Sequence, residues 1–245
     1  MTGIQHQTPA TFPGRLEAAK DLVARIGHDH QPAVFACSFS IEDVVLLDLL
    51  LRHAPQVEIF TLDTGRLPQE THDLIAAYAD RGHVIRVLLP QPDAVEQWTA
   101  EYGVNGFRHS LEARRACCEI RKVRSLDRAL AGKKAWLTGL RRAQSVDRQG
   151  LSLESVDEGR GLLKFNPLLE WSDGDVRTYA QQNALPVHAL YDRGYASIGC
   201  APCTRAIAAG EDVRAGRWWW EGEVVKECGL HARPQQRNSA AEALS

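Results

Sequence analysis

The sequence has no long apolar run. Its most apolar stretch, VVLLDLLL at 44–51, is short and interrupted by Asp48, so no segment is expected to span a membrane. The first residues, MTGIQHQTPATFPG, contain no apolar core, and a secretory signal peptide is not expected there. A charge excess of either sign is also missing: 29 Lys plus Arg against 31 Asp plus Glu leave a net charge of −2. That balance argues against a general nucleic-acid binder and leaves any polyanion to a local arginine cluster. Neither an internal repeat nor a linker stands out. The 245 residues therefore read as one domain, 1–245, with about 1–15 and 232–245 flexible and a mobile C-terminal arm. With no export signal expected, the six cysteines (37, 117, 118, 200, 203 and 228) are placed in a reducing cytoplasm. Thiols there point to metal binding or catalysis rather than disulfides.

What is present is an alternation of short β-branched or aromatic runs with helical patterns. AVFAC (33–37), VEIFTL (57–62), VIRVLL (84–89) and KAWLTGL (134–140) read as buried strands. EDVVLLDLLLRHA, PQETHDLIAAYADRG and DAVEQWTAEYG have helical spacing, with Pro68 and Gly82 as start and stop signals. The alternation predicts an α/β fold with a mostly parallel central sheet flanked by helices, and ligands at the carboxyl ends of its strands. Further on, LSLESVDEGRGLLKFNPL suggests two short strands. SDGDVRTYAQQNALP suggests a helix capped by Ser172 and ended before Pro186.

Three loops follow strands. SFSIED (38–43) runs straight into a helix, so the Ser38 and Ser40 hydroxyls and the helix N-terminus suit a phosphate or sulfate. The plainer alternative makes Ser40 an N-cap with Asp43 as its partner three residues on. LDTGRLPQET (62–71) places Gly65 in a tight turn and Arg66 at the sheet edge, and GLRRAQS (139–145) again has Gly before arginines. Taken together, the three point to an anionic nucleotide.

RRACCEIRKV (114–123) poses a different problem. Adjacent residues diverge by about 100° on a helix and face opposite ways on a strand. Cys117 and Cys118 are therefore awkward as a simple pair. Downstream, YASIGCAPCT contains Cys200-Ala-Pro-Cys203. A redox C-x-x-C is self-sufficient and leaves the first pair unexplained. Four thiolates from both pairs make an all-cysteine site for which zinc and an iron–sulfur cluster are each chemically open. Adjacent ligands strain a compact zinc tetrahedron more than a cubane, whose anionic charge Arg115, Arg121 and Lys122 would offset.

SFSIEDVVL, LDTGRLPQET, RRACCEIRKV, GLRRAQS, LYDRGYASIGCAPCT, GRWWWEGE and KECGLH occur in the order seen in assimilatory adenylylsulfate reductases. From about residue 33 to 231 the chain resembles the bacterial, thioredoxin-dependent form of that family. Related 3′-phosphoadenylylsulfate reductases share the nucleotide loops and the final ECGLH but typically lack the cysteine pairs, and plant-type enzymes carry an extra glutaredoxin-like domain. The resemblance implies a [4Fe–4S] cluster on Cys117, Cys118, Cys200 and Cys203. It also implies Cys228 as the nucleophile toward adenosine 5′-phosphosulfate, and thioredoxin as donor. The candidate substrate-binding set is Ser38, Ser40, Asp63, Gly65, Arg66, Lys122, Arg141, Arg142, Arg214, Arg217 and His231. Cys37 reads as a small buried hydrophobe, and WWW at 218–220 as a packing anchor.

Rival readings are weaker. An ATP pyrophosphatase that thiolates tRNA wants a glycine-rich SGGxDS loop, which SFSIED lacks. A zinc-binding interaction protein explains the cysteine pairs but neither Cys228 nor the arginine loops. A reductase of the 3′-phosphorylated nucleotide, or of both, remains the alternative substrate reading. Neither nucleic acid nor membrane is an expected partner, and a homo-oligomer is left open.

Overall fold

The computed structural model describes residues 11–144 and 148–222. Contacts divide the chain into two compact units.

The first unit takes in Met1–Ile59, Gly132–Asp157 and Gly161–Val187. It holds helix α1 (Phe12–Asp29), strand β1 (Ala33–Ala36), helix α2 (Ile41–His53) and the start of β2 (Glu58–Leu62). After the interruption come β4 (Ala135–Leu137), β5 (Glu154–Asp157), β6 (Leu162–Phe165) and α7 (Asp173–Gln182). β1 pairs parallel with β4, Val34 opposite Trp136, and β4 pairs parallel with β6, Leu137 opposite Phe165. β5 returns antiparallel against β6, as a hairpin closed at Gly161, whose φ of +66° suits a residue without a Cβ.

The reason for α2 lies in its sequence: Val44, Val45, Leu46, Leu47, Leu49 and Leu50 are all fully buried. A helix apolar nearly all round belongs in a core, and each such side chain contributes about 1.5–3 kcal/mol of gross burial energy. The α7 start is a capping box: Ser172 Oγ accepts from Asp175 N, and Asp175 accepts from Ser172 N. Asp175 also takes a bidentate grip from Arg15, at 2.8–3.0 Å. Residues 12–15, grouped with the flexible terminus in the sequence reading, are thus the first turn of α1.

The second unit takes in Phe60–Ala131, Glu158–Arg160 and His188–Ser245. It continues β2 and holds α3 (Gln69–Ala79), β3 (Arg86–Leu88), α4 (Pro92–Tyr102), α5 (Leu111–Cys118), a π-helical segment (Glu119–Val123) and α6 (Arg124–Leu130). β3 runs parallel to β2, with Thr61 opposite Val87. It was expected to be a buried strand over 84–89, and here the sequence misleads. β3 is only three residues long, and Val84, Val87 and Leu89 are exposed. In the order β3-β2-β1-β4-β6-β5, β3 is an edge strand, where an apolar run need not mark a core. The architecture is otherwise as the alternation predicts, an α/β domain with a mostly parallel six-stranded sheet. Among the described residues no helix is long and apolar enough to cross a membrane.

Candidate active site

The thiol site begins with an irregular helix. Ser110 caps α5 by accepting from Ala113 N at 3.0 Å, and Glu112 lies in the first turn, where a carboxylate favours the dipole. After Cys118 the helix widens into the π segment, and Arg124 N reaches back five residues to Glu119 O. π turns insert an extra residue and cluster at functional sites. Cys117 is buried and Cys118 half-buried, and both pack in one cluster with Cys200, Cys203, Trp98, Phe107, Ile120 and Trp218.

The second cysteine pair lies on a 3-10 turn, Ala201–Cys203, pinned by Ala201 N donating to Arg66 O at 2.8 Å. The β2 loop supplies the floor. Asp63 Oδ1 accepts from Gly65 N at 2.8 Å, Gly65 sits at φ +69°, and the Asp63 Oδ2 is 3.0 Å from His72 Nε2. Arg121 Nη1 donates to Thr64 O at 2.8 Å, and the Thr64 hydroxyl lies 3.2 Å from Cys200 Sγ. Arg121 was read from sequence as a counter-charge to the thiols, whereas Thr64 was not, since a lone threonine offers no signal there.

Cations surround the thiols. Burial alone would raise the pKa of Cys200, but Lys122, the Thr64 hydroxyl, Arg217 and Arg121 outweigh it and the pKa is lowered. For Cys203, burial and then the neighbouring Cys200 win, pushing it up to about 12. Cys117 is also raised by burial, against Arg121. Arg66 Nη1 and Arg217 Nε are buried with no hydrogen-bond partner among the described residues. Such donors are chemically suited to an anion. Gly199 leaves room for the Arg217 guanidinium, which a methyl at that position would displace. The described thiols do not close up as a single-ion site, for which Zn–S bonds of about 2.3 Å imply sulfurs roughly 3.8 Å apart.

Of the triple tryptophan, Trp218 is the buried anchor. The Arg114 and Arg217 guanidiniums lie 4.2 and 4.8 Å from its ring centre. Arg114 pairs in turn with Glu221 at 2.5 Å. Arg214 is half-buried, and its carbonyl accepts from Arg217 N.

The first unit carries the other sequence candidates. Ser38 and Ser40 hydroxyls are 3.2 Å apart at the start of α2. The proposed Ser40–Asp43 capping box does not form: Ser40 makes no side-chain cap bond, and Asp43 accepts from Ser38 N and Ser38 Oγ instead, both at 2.6 Å. Arg141 is buried against Glu42 at 2.7 Å and Asp173, and it also donates to Trp171 O. Arg142 bonds Glu170 and the carbonyls of Gln149 and Leu151. Both arginines brace the loop after β4. Cys37 is buried, its pKa raised well above the ordinary thiol value by desolvation and then by Asp43. Cys228 and His231 lie outside the described residues.

A family model described as the phosphoadenosine phosphosulfate reductase domain matches residues 32–206, which include all four clustered cysteines and the three loops 38–43, 62–71 and 139–145. The chain belongs to that family. Among its relatives is the adenosine 5′-phosphosulfate reductase of Allochromatium vinosum, 48% identical over 225 residues, covering 91% of this chain and 88% of the relative. The enzyme of the same name from Burkholderia cepacia is 49% identical over 218 residues, covering 89% and 87%. A crystal structure of phosphoadenylyl-sulfate reductase from Candida auris superposes with a TM-score of 0.68 at 24% identity, over 84% of this chain and 99% of that one. At that identity the structural likeness bears on the fold alone.

Proposed function

We propose that this chain is an assimilatory, cytoplasmic adenylylsulfate reductase, converting adenosine 5′-phosphosulfate to sulfite and AMP with thioredoxin as electron donor. The observation that carries the reading is the four-thiol cluster ringed by Arg66, Arg121, Lys122 and Arg217. It is supported by relatives named for that substrate.

In the proposed reaction the Cys228 thiolate attacks the sulfur of the phosphosulfate, and the bond from sulfur to the bridging phosphate oxygen breaks. AMP departs with that electron pair, leaving a Cys228 S-sulfonate. A thioredoxin thiolate then attacks Cys228 Sγ and expels sulfite as a mixed disulfide forms. The second thioredoxin thiol resolves that disulfide, so the donor leaves oxidised and Cys228 is restored. Lys122, Arg214 and Arg217 hold the phosphosulfate and offset charge on departing AMP. Ser38, Ser40, Asp63, Gly65 and Arg66 shape the nucleotide loops, Arg141 and Arg142 brace one of them, and His231 orients the tail.

Cys117, Cys118, Cys200 and Cys203 would hold a [4Fe–4S] cluster. The chemistry of the donor set fits: four thiols pack in one cluster, and two buried guanidinium donors nearby lack a hydrogen-bond partner among the described residues. When bound, the group would supply a compact anionic, redox-capable centre beside the substrate cations.

The second reading is reduction of the 3′-phosphorylated nucleotide, favoured by the family's name. Sulfite release with thioredoxin, assayed separately with each nucleotide, distinguishes them. The expected result is higher kcat/KM for adenosine 5′-phosphosulfate; equal or reversed preference rejects the substrate assignment, and no sulfite from either rejects the reductase reading.

A further inference from the structure

A buried carboxylate at the head of α2 has no part in the chemistry proposed above. Asp43 is almost wholly inaccessible. Its Oδ2 accepts from both Ser38 N and Ser38 Oγ at 2.6 Å, and its Oδ1 accepts from Gly139 N at 3.1 Å. Ser38 belongs to the loop after β1 and Gly139 to the loop after β4, and those strands are parallel neighbours. One side chain therefore fastens together the ends of two strands at the edge where such sheets bind ligands. Space confirms the closeness: a methyl at Gly139 would overlap Asp43 Oδ1. The clasped loop is also strained. Phe39, between the two serines, is fully buried at φ +60°, a region bulky residues avoid and that persists only where surroundings enforce it.

We infer that Asp43 is a positioning residue for the nucleotide: it fixes the Ser38 hydroxyl and the Gly139 loop in the arrangement that receives the phosphate. This rests on the nucleotide reading of the preceding section. Burial works against a charged carboxylate there, so the clasp is held at a cost. Desolvation raises its pKa to about 6, the Ser38 bonds oppose that, Glu42 adds to it and the Gly139 bond opposes it. A raised carboxylate pKa means the charge costs stability at neutral pH and the cost is relieved on protonation. Carboxylates shifted in this way concentrate at functional sites, and the bonds from Ser38 and Gly139 place this one at the ligand edge of the sheet. The other titratable or charged neighbours are Glu42 on α2, Cys37 at the end of β1, and Arg141 after β4, which pairs Glu42 with Asp173 at the start of α7.

The experiment compares wild type with Asp43→Asn in the full chain, using AMP as the binding probe and sulfite release as the kinetic readout. Asparagine keeps the shape but turns a donor toward backbone N–H groups. The expected result is AMP affinity and KM weakened about ten- to a hundredfold with kcat nearly unchanged, in protein that melts as cooperatively as wild type. Wild-type affinity should also fall below about pH 6 more steeply than that of the variant. Because phosphomonoesters titrate in the same range, the difference between the two profiles is the measure. Ser38→Ala should weaken AMP too, and the double variant should lose less than the sum, since both changes break one contact. Gly139→Ala serves as an independent arm and should raise KM. Unchanged AMP affinity and identical pH profiles in Asp43→Asn would overturn the inference, as would a pure kcat effect. If wild type neither binds AMP nor releases sulfite, the nucleotide reading itself has failed.

Discussion

At the scale of single residues, His188 shows how a buried polar group couples folding to pH. Its Nδ1 accepts from Leu190 N at 3.2 Å, so the ring proton sits on Nε2 and points at Thr71 Oγ1, 2.8 Å away. Burial lowers its pKa, with Glu70 opposing. Protonation would set a second ring N–H against the Leu190 N–H. The unfolded chain holds its histidine near pKa 6.5, so below that pH the unfolded state binds the proton more readily. His188 therefore supports the fold fully above about pH 6.5 and loses that support as pH falls toward its lowered folded value. Urea titrations of His188→Asn should show about 1–3 kcal/mol less stability at pH 8 and a shallower loss on acidification. An unaltered acid slope would assign the pH dependence to other groups.

At the scale of elements, the helix carrying Cys117 and Cys118 is the decisive one. An ideal helix turns about 100° per residue, and on that geometry adjacent thiols diverge. The π segment Glu119–Val123 follows directly after the pair and sets how the pair is turned relative to α6, while Cys117, Ile120 and Arg121, spaced i, i+3 and i+4, share the buried side. Deleting Glu119 should restore an ordinary α turn and rotate the cysteine pair by roughly 100° relative to α6. Iron bound per chain should then drop to near zero while far-ultraviolet circular dichroism stays helical; full iron loading would mean the π turn is incidental. Nothing in RRACCEIRKV announces that turn, because propensity and periodicity describe regular helices. Regular elements were legible for the same reason: α2 is apolar nearly all round, and β1, β2 and β4 are compact β-branched or aromatic runs. β3 was misjudged because an exposed edge strand and a buried one can share a composition. The Ser40–Asp43 spacing fits a capping box, yet spacing does not say which donor the carboxylate takes, and it took Ser38. Within the site, two cysteine pairs far apart in sequence were visible because neither explains itself alone. Thr64 and Gly199 were not, since their roles depend on a neighbour brought close only by folding.

At the scale of the whole molecule, a near-neutral chain places Arg66, Arg121, Lys122 and Arg217 around buried thiols. That distribution suits a small anion and an anionic centre rather than an extended polyanion. Protein purified without oxygen should be brown, with iron and acid-labile sulfide in equal amounts, four of each per chain as the cluster formula requires. Zinc alone in colourless, fully active protein would reject the cluster. The central claim, that Cys228 carries the sulfonate, is tested most directly by mass spectrometry of wild-type protein mixed with adenosine 5′-phosphosulfate and no donor. The protein should gain the mass of one sulfonate group, peptide mapping should place it on Cys228, and reduced thioredoxin should remove it. Absence of any adduct from protein that releases sulfite when donor is added, or an adduct on another cysteine such as Cys37, would contradict the account.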